Sequence, residues 1–273
     1  MPTKSRSSSR GHASSPLDDF GLKGQTVLVT GACGQLGFQF CKTLGQVHAK
    51  VFVSDLKPDD CRKQVDRLRK MDIEADSVAM DVSDPDSVGK AFQQIERRGK
   101  GLDVLVNAAA TVVFTPFEDR SYEDFMRVLE VNVGGVFLCS QQATRLMKRQ
   151  DSGGRIINIA SIYGVVSSDP RIYTDCNRRC SEVYSCSKAA VIMLTRYLAV
   201  HLAPYKIRVN AISPGGVYHH QGSDFVKNYS HRTALGRMAE EDEINHSLLY
   251  LASNASSYVT GHNLVVDGGL TAW

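Results

Sequence analysis

No stretch of this 273-residue chain is apolar for long enough to cross a membrane, and residues 1–20 hold no apolar segment of the kind that begins a secretory signal. One-sided charge is missing too: 32 Lys and Arg stand against 29 Asp and Glu, a net of +3, and the basic residues are scattered. Such a surface lacks the basic face that nucleic acid requires, so neither membrane nor nucleic acid is an expected partner. The seven cysteines (33, 41, 61, 139, 176, 180 and 186) show no paired spacing, and their number is odd. A disulfide framework is therefore excluded as the organising principle, and free thiols in a cytoplasmic setting are expected. Cys176, Cys180 and Cys186 with His219 or His220 match no zinc spacing, so no metal site is expected. Internal repeats and interior low-complexity linkers are also lacking.

What is present is ordinary globular material, 42% hydrophobic and 22% charged, enough for one core. Residues 1–20 are Ser-rich and basic, with Lys4, Arg6 and Arg10 and no acid before Asp18. Such a segment buries too little apolar surface to offset its ordering entropy, and reads as a flexible tail. A transit peptide is the sharper alternative, although an apolar helical face is missing. Residues 21–273 read as one domain.

Thr26–Thr30 is a short β-rich apolar run. Gly31, Gly34 and Gly37 follow at three-residue steps, then a helical pattern through Phe38, Phe40, Cys41 and Leu44, then a second strand ending at Asp55. Strand, glycine turn, helix, strand and acid together specify a dinucleotide site. Gly31 allows the tight turn, Gly34 admits a pyrophosphate to the positive helix N-terminus, and Gly37 lets helix and strand pack closely. Asp55 suits the ribose hydroxyls of adenosine and repels a 2′-phosphate, which favours NAD over NADP. Further strands are expected at 76–80, 103–107, 155–161, 207–212 and 264–269. A long helix is expected from about Ser121 to Arg149, with Asn132 either tolerated there or marking a kink, and another over 241–252. Residues 218–229 read as a polar segment. Alternating strands and helices imply an α/β, Rossmann-type doubly wound, mainly parallel sheet with helices on both faces. Gly31, Asp55, Asp81, Asn107 and Ser161 all fall at strand carboxyl ends, where such sheets bind ligands.

Tyr184 and Lys188 open a further helical pattern carried by Val191, Leu194, Leu198 and Leu202. Residues four apart share a helix face. A free phenol has a pKa of about 10, and a cation beside it is expected to lower that value towards working pH. The pair thus reads as a proton donor and acceptor.

With these residues placed, the chain resembles the short-chain dehydrogenase/reductase family, in its single-domain branch, over about residues 22–273. The resemblance rests on Thr30-Gly31-Ala32-Cys33-Gly34-Gln35-Leu36-Gly37, Asp55, Asp81-Val82, Asn107-Ala108-Ala109-Ala110, Asn132, Ser161, Tyr184 with Lys188, Pro214-Gly215-Gly216 and Val266-Asp267-Gly268-Gly269. It implies a catalytic set of Asn132, Ser161, Tyr184 and Lys188. It also implies cofactor contacts at Gly31, Gly34, Gln35, Leu36, Gly37 and Asp55, adenine contacts near Asp81 and Val82, and further contacts at Asn107 and Ala108. Nicotinamide contacts are implied at Pro214, Gly215 and Val217, and a homodimer or homotetramer as the assembly. The chain departs from the family pattern in four places. Gln35 stands where the middle glycine is usual, with Gly34 taking that part. The motif at Asn107 lacks its final glycine. His219 stands where a Thr is common, and the gap from Ser161 to Tyr184 is long. Tyr173 lies nearer the common spacing but has Asn177, not a lysine, four residues on. The C-terminal third resembles a bacterial subgroup associated with flagellin modification and nonulosonic-acid sugars.

The resemblance implies that Tyr184 takes the proton of a substrate alcohol, Lys188 stabilises the phenolate, Ser161 donates to the reacting oxygen, and Asn132 anchors a water. The expected reaction is NAD(H)-dependent interconversion of a secondary alcohol and a ketone on a sugar, sugar acid or sugar nucleotide. Alternatives are a 3-oxoacyl or hydroxyacyl reductase, a sugar epimerase or dehydratase that retains its NAD, and a non-catalytic NAD-binding subunit. Residues 165–181, with Arg171, Arg178, Arg179, Tyr173 and Asn177, are expected to close with residues 218–229 over an anionic, hydroxyl-rich substrate.

Overall fold

The computed structural model describes residues 15–99, 101–174 and 180–273. The first fourteen residues of the expected tail lie outside the described residues, as do Cys176, Asn177, Arg178 and Arg179. Residues 15–20 are described and include a 3-10 turn at Asp18–Phe20.

Seven strands form one sheet: β1 (Thr26–Thr30), β2 (Lys50–Asp55), β3 (Ala75–Ala79), β4 (Val104–Asn107), β5 (Gly154–Ile159), β6 (Ile207–Pro214) and β7 (Asn263–Val266). Every pairing is parallel, in the order β3-β2-β1-β4-β5-β6-β7. The α/β, doubly wound class expected from the alternation is therefore the class observed. The order reverses between β1 and β4, and there the connecting helices leave on opposite faces and open a crevice. Register brings the carboxyl ends level: Thr30 lies opposite Ser54 on one side and Asn107 on the other.

The two faces of the sheet separate by strand alternation. Val27, Val29, Val51, Val53, Val104, Val106 and Ile157 share one core with Phe40, Leu44, Leu68 and Leu251. Leu28, Phe52, Leu105 and Ile156 share the other with Phe92, Ile95, Met147 and Leu202. The first layer is covered by α1 (Gln35–Gln46), α2 (Pro58–Arg69) and α8 (Asn245–Ala252), the second by α3 (Pro85–Gly99), α5 (Gly135–Lys148) and α6 (Glu182–Leu202). The sheet is buried on both sides, so its strands read as continuous apolar runs.

The strand expected at 264–269 stops at Val266 and the helix expected over 241–252 begins at Asn245. Three further differences from the sequence reading lie nearer the site. The long helix is two helices, α4 (Tyr122–Leu129) and α5, joined by a π turn at Glu130–Gly134 with Asn132 at its centre. The kink alternative is thus the correct one. Ser161 lies beyond β5, not in it, and caps a 3-10 turn at Ile162–Gly164. Much of the 218–229 stretch, read as a polar segment, belongs to α7 (Ser223–Arg232). Its polar composition hid three apolar positions, Phe225, Val226 and Tyr229, which pack near Ile172, Tyr173 and Met238. Among the described residues no helix is long and apolar enough to cross a membrane.

Candidate active site

The glycine turn is built by close approach. Gly31 has φ +65°, and a Cβ there would lie 2.7 Å from the main chain of Ala109. A Cβ on Gly37 would lie 2.1 Å from the Gly31 carbonyl oxygen, so α1 can sit against the turn only without a side chain at that position. Gly34, at φ −75°, is the N-cap of α1 and puts no side chain near its free amides. Asp55 ends β2 and is held by two main-chain donors: Cys33 N–H to Oδ2 at 2.9 Å and Leu56 N–H to Oδ1 at 2.8 Å. The acid is thereby fixed beside the glycine turn. Burial pushes the thiol of the intervening Cys33 up to about 12, with Cys61 and Asp55 adding to the shift, so it stays neutral.

Across the switch point, α6 presents its first turns to the end of β5. Ser181 caps it by accepting from the Tyr184 N–H at 3.3 Å. Lys188 is fully inside the protein and donates through Nζ to the Ile159 carbonyl at 2.8 Å, which fastens α6 to β5. Its Nζ stands 5.5 Å from the centre of the Tyr184 ring. Tyr184 and Ser161 line the same two cavities, and the Ser161 hydroxyl favours the charged form of the phenol. The turn that carries Ser161 abuts α6 because Gly164 has no side chain: a Cβ there would lie 2.7 Å from the Lys188 main chain. Gly164 was not singled out from the sequence, where one glycine in a loop carries no signal of what it must approach.

Asn132 stands on the π turn, buried, and joins three segments. Its Oδ1 accepts from the Thr111 N–H at 2.7 Å, and its Nδ2 donates to the Thr111 carbonyl at 2.9 Å and to Ser187 Oγ at 3.0 Å. Ser187 in turn donates to the Tyr184 carbonyl at 2.7 Å. Asn132 therefore braces the loop after β4 against the helix turn that bears Tyr184.

Electrostatics correct one expectation. Burial pushes the Tyr184 phenol up to about 12, and the Ser161 hydroxyl only partly opposes this. Lys188 is drawn down to about 8, also by burial. The nearby cation does not lower the phenol as the spacing alone suggested. Lys188 is buried and Tyr184 half-buried, and the loss of hydration disfavours each charged form.

Two cavities meet at this pair. One, of about 280 Å³, is lined by Gln35, Leu36, Ala108, Ala110, Ile159, Ala160, Ser161, Tyr184, Lys188, Pro214, Gly215 and Val217. The other, of about 250 Å³, lies beyond Ser161 and Tyr184 and is walled by Phe114, Tyr163, Tyr173, Phe225, Tyr229 and Met238. Ser161, Tyr184, Pro214, Gly215 and Val217 line both. A larger cleft of about 880 Å³ near Phe117 and Val166 touches none of Asn132, Ser161, Tyr184 or Lys188. Size is a poor guide here, because the reactive groups line the smaller spaces.

The first cavity thus joins nine of the residues singled out from the sequence, and adds Ala110, Ile159 and Ala160. Gly31, Gly34, Gly37 and Asp55 frame the neighbouring turn. Asp81 accepts from both the N–H and hydroxyl of Ser83, at 2.9 and 2.6 Å, and Val82 is buried. Asn107 differs: its side chain faces the core, donating to Asn158 Oδ1 at 2.8 Å and Ser140 Oγ at 3.1 Å. Only its main chain remains for a ligand. The exposed guanidinium of Arg171 pairs with Asp169 at 2.8 Å, a surface contact of little strength. The donor set fits a dinucleotide: free amides at the start of α1, a fixed carboxylate at the end of β2, and an ammonium beside a phenol across the crevice.

Such a sheet, with a phenol, hydroxyl and ammonium gathered at its switch point, defines a Rossmann-type oxidoreductase acting on CH–OH and keto groups. A family model described as enoyl-(acyl carrier protein) reductase matches residues 31–271. A cyclopentanol dehydrogenase of Comamonas is 32% identical, over 91% of this chain and 97% of its own. A short-chain dehydrogenase of Leptospira borgpetersenii, solved with bound NAD+, is 38% identical with a TM-score of 0.84, over 98% of this chain and 100% of that one. A gluconate 5-dehydrogenase of Burkholderia cenocepacia, solved with NADP and tartrate, is 30% identical with a TM-score of 0.87, over 94% and 99% of the two chains. This chain belongs to the short-chain dehydrogenase/reductase family.

Proposed function

We propose that this protein is an NAD(H)-dependent oxidoreductase that interconverts a secondary alcohol and a ketone on a sugar, sugar acid or sugar nucleotide. The observation that carries the reading is the place of the Ser161–Tyr184 pair, which walls both cavities at once. A proton at Tyr184 Oη can pass to or from a substrate oxygen in one cavity while the cofactor occupies the other. The nicotinamide cofactor, when bound, accepts or gives the hydride. Ser161 donates to the reacting oxygen, and Lys188 steadies negative charge on Tyr184. Asn132 positions the turn of α6 that bears the base; any water it anchors would be held by its remaining oxygen lone pair or by the main chain of the π turn. Reduction of NAD+ screened against sugar nucleotides, sugar phosphates, polyols and hydroxyacyl compounds tests the assignment. Turnover of hydroxyacyl compounds above all sugars would overturn it.

The choice of NAD rests on Asp55, held beside the glycine turn, with no arginine in the six residues after it. We expect NAD to be preferred over NADP by at least about tenfold in kcat/KM, or about 1.4 kcal/mol. Equal rates with the two cofactors would take Asp55 off the ribose.

The narrower resemblance to enzymes of flagellin modification and nonulosonic sugars belongs to the same reading. So does the cytoplasmic setting, and so does assembly as a homodimer or homotetramer, which the exposed Met193, Tyr197 and Val200 on one face of α6 support. A second reading is favoured by the lining of the substrate cavity, which holds no charged side chain among the described residues. It makes the substrate an uncharged alicyclic alcohol, as the name of the Comamonas relative says of that protein. Replacing Arg171, Arg178 and Arg179 together by Ala separates the two. A raised KM for a sugar acid or phosphate with an unchanged melting temperature supports the anionic substrate, and unaltered kinetics supports the uncharged one.

A further inference from the structure

One side chain joins the glycine turn to the loop after β6. Gln35, the first residue of α1, donates through Nε2 to the Tyr218 carbonyl at 2.8 Å. The sheet runs β1-β4-β5-β6, so three strand spacings, about 14 Å, separate β1 from β6. A contact between the ends of those two strands closes only if the chain after β6 folds back over the ends of β4 and β5. What lies between is Ala108 and Ala110 after β4 and Ile159 and Ser161 at the end of β5, which line one cavity together with Gln35 and Val217. The Gln35–Tyr218 bond thus bridges two walls of the first cavity.

Residues 215–221 form a strap that is stiffened from within. Tyr218 N–H donates to the Ala239 carbonyl at 2.8 Å and Ala239 N–H to the Gly216 carbonyl at 3.0 Å, a single parallel bridge centred on Val217 and Ala239. Gln221 donates through Nε2 to the Val217 carbonyl at 3.0 Å and accepts from the His219 N–H at 2.7 Å. The Gly216 N–H donates to Tyr229 Oη, which ties the strap to α7. A segment held in this way moves as a unit, and the bond at the Tyr218 carbonyl fixes it to the far side of the crevice. Gln35 stands where a glycine is usual, and a glycine there would leave the strap without this tie. The tie is therefore a property of this sequence and not of the fold.

We propose that Gln35 is a latch on the cofactor cavity: it fastens the strap over the crevice, and the nicotinamide dinucleotide enters and leaves when the Gln35–Tyr218 bond opens. The proposal rests on the dinucleotide lying along the glycine turn and in the first cavity, as the functional reading has it. The bond joins protein to protein, so it opposes entry and exit alike and leaves the affinity unchanged. One exposed amide–carbonyl bond has a modest net strength, so the retardation is about three- to tenfold. Gln35 acts here as a positioning residue, through the strap, without touching the reacting atoms.

Stopped-flow fluorescence with NADH, or with NADPH if that binds more tightly, gives the association rate on mixing and the dissociation rate on displacement by excess ADP-ribose. Gln35→Met keeps the length of the side chain and loses the donor; Gln35→Gly restores the usual residue. In each variant both rate constants should rise about three- to tenfold, with Kd within about twofold of wild type. The melting temperature of Gln35→Met should hold, while hydrogen exchange at the Tyr218 and Ala239 amides quickens by the same factor as the rates. A rise in the dissociation rate alone, with a weakened Kd, would make Gln35 a direct contact of the cofactor and overturn the latch. Rates that stay as in wild type would overturn it too, as would a lowered melting temperature with exchange quickened throughout the sheet. Failure of the functional reading has a separate signature, wild type that binds neither NADH nor NADPH, and it removes the latch with it.

Discussion

We expect Tyr184→Phe to lower kcat at least about a hundredfold while NAD affinity stays nearly unchanged. Among the described residues the phenol is the one titratable hydroxyl that lines both cavities, with Ser161 beside it in each. Phe keeps the ring, so the packing around it survives. What disappears is the proton relay between substrate oxygen and protein. Steady-state kinetics with a substrate from the screen, together with NADH binding followed by fluorescence, measures both halves of this expectation. Near-normal turnover would move the base to Tyr173 or Tyr163, the other phenols of the same cavity.

The second large effect belongs to Lys188→Met, and it has two parts. Turnover should fall by about 10²-fold or more, since the cation that steadies developing charge on Tyr184 is gone. Stability of the cofactor-free protein should respond in the opposite sense and depend on pH. Burial draws the Lys188 ammonium from its usual 10.5 down to about 8. Below pH 8 the folded chain carries a charge that the unfolded chain solvates freely, so the penalty is fully present there. It is relieved as pH rises from about 8 towards about 10.5, because the folded protein then releases its proton before the unfolded chain does. The melting temperature of wild type should therefore climb relative to Lys188→Met across that window. Other titrating groups are common to both proteins and cancel in the difference. A difference that is flat from pH 7 to pH 10 would show that the ammonium is not held as the structure places it.

These two residues show how far the sequence reaches. A Tyr and a Lys four apart on an apolar helical period must share a face, and they do, because helix geometry is local. The order strand, glycine turn, helix, strand, acid likewise fixed β1, α1 and β2, with both strands starting and ending where the pattern put them. Side chains at Gly31 and Gly37 would collide with main chain, so the spacing of those glycines is a direct record of the fold. The π turn at Asn132 was only half legible: a poor helix former and two glycines mark trouble but not its form. Helix α7 was missed because its three apolar residues are outnumbered by polar ones, and packing against Tyr173 and Met238 stabilises it where propensity does not.

The protonation of the site was decided by burial, which spacing does not reveal. The sequence placed a cation beside a phenol and implied a lowered pKa; the fold buries the ammonium and half-buries the phenol, and the loss of hydration reverses the sign. Asn107 turned inward for a related reason. Strand alternation points its side chain at the second core layer, where Asn158 and Ser140 complete a buried polar network. Arg171 looked like an anion clamp in the sequence, yet it is paired with Asp169 two residues before it. The sequence by itself determined the class of sheet, the dinucleotide turn and the phenol–ammonium pair, because each depends on neighbours within a few residues. The apolar, tyrosine-walled cavity joins residues from Val112 to Met238, and only the tertiary structure brought them together.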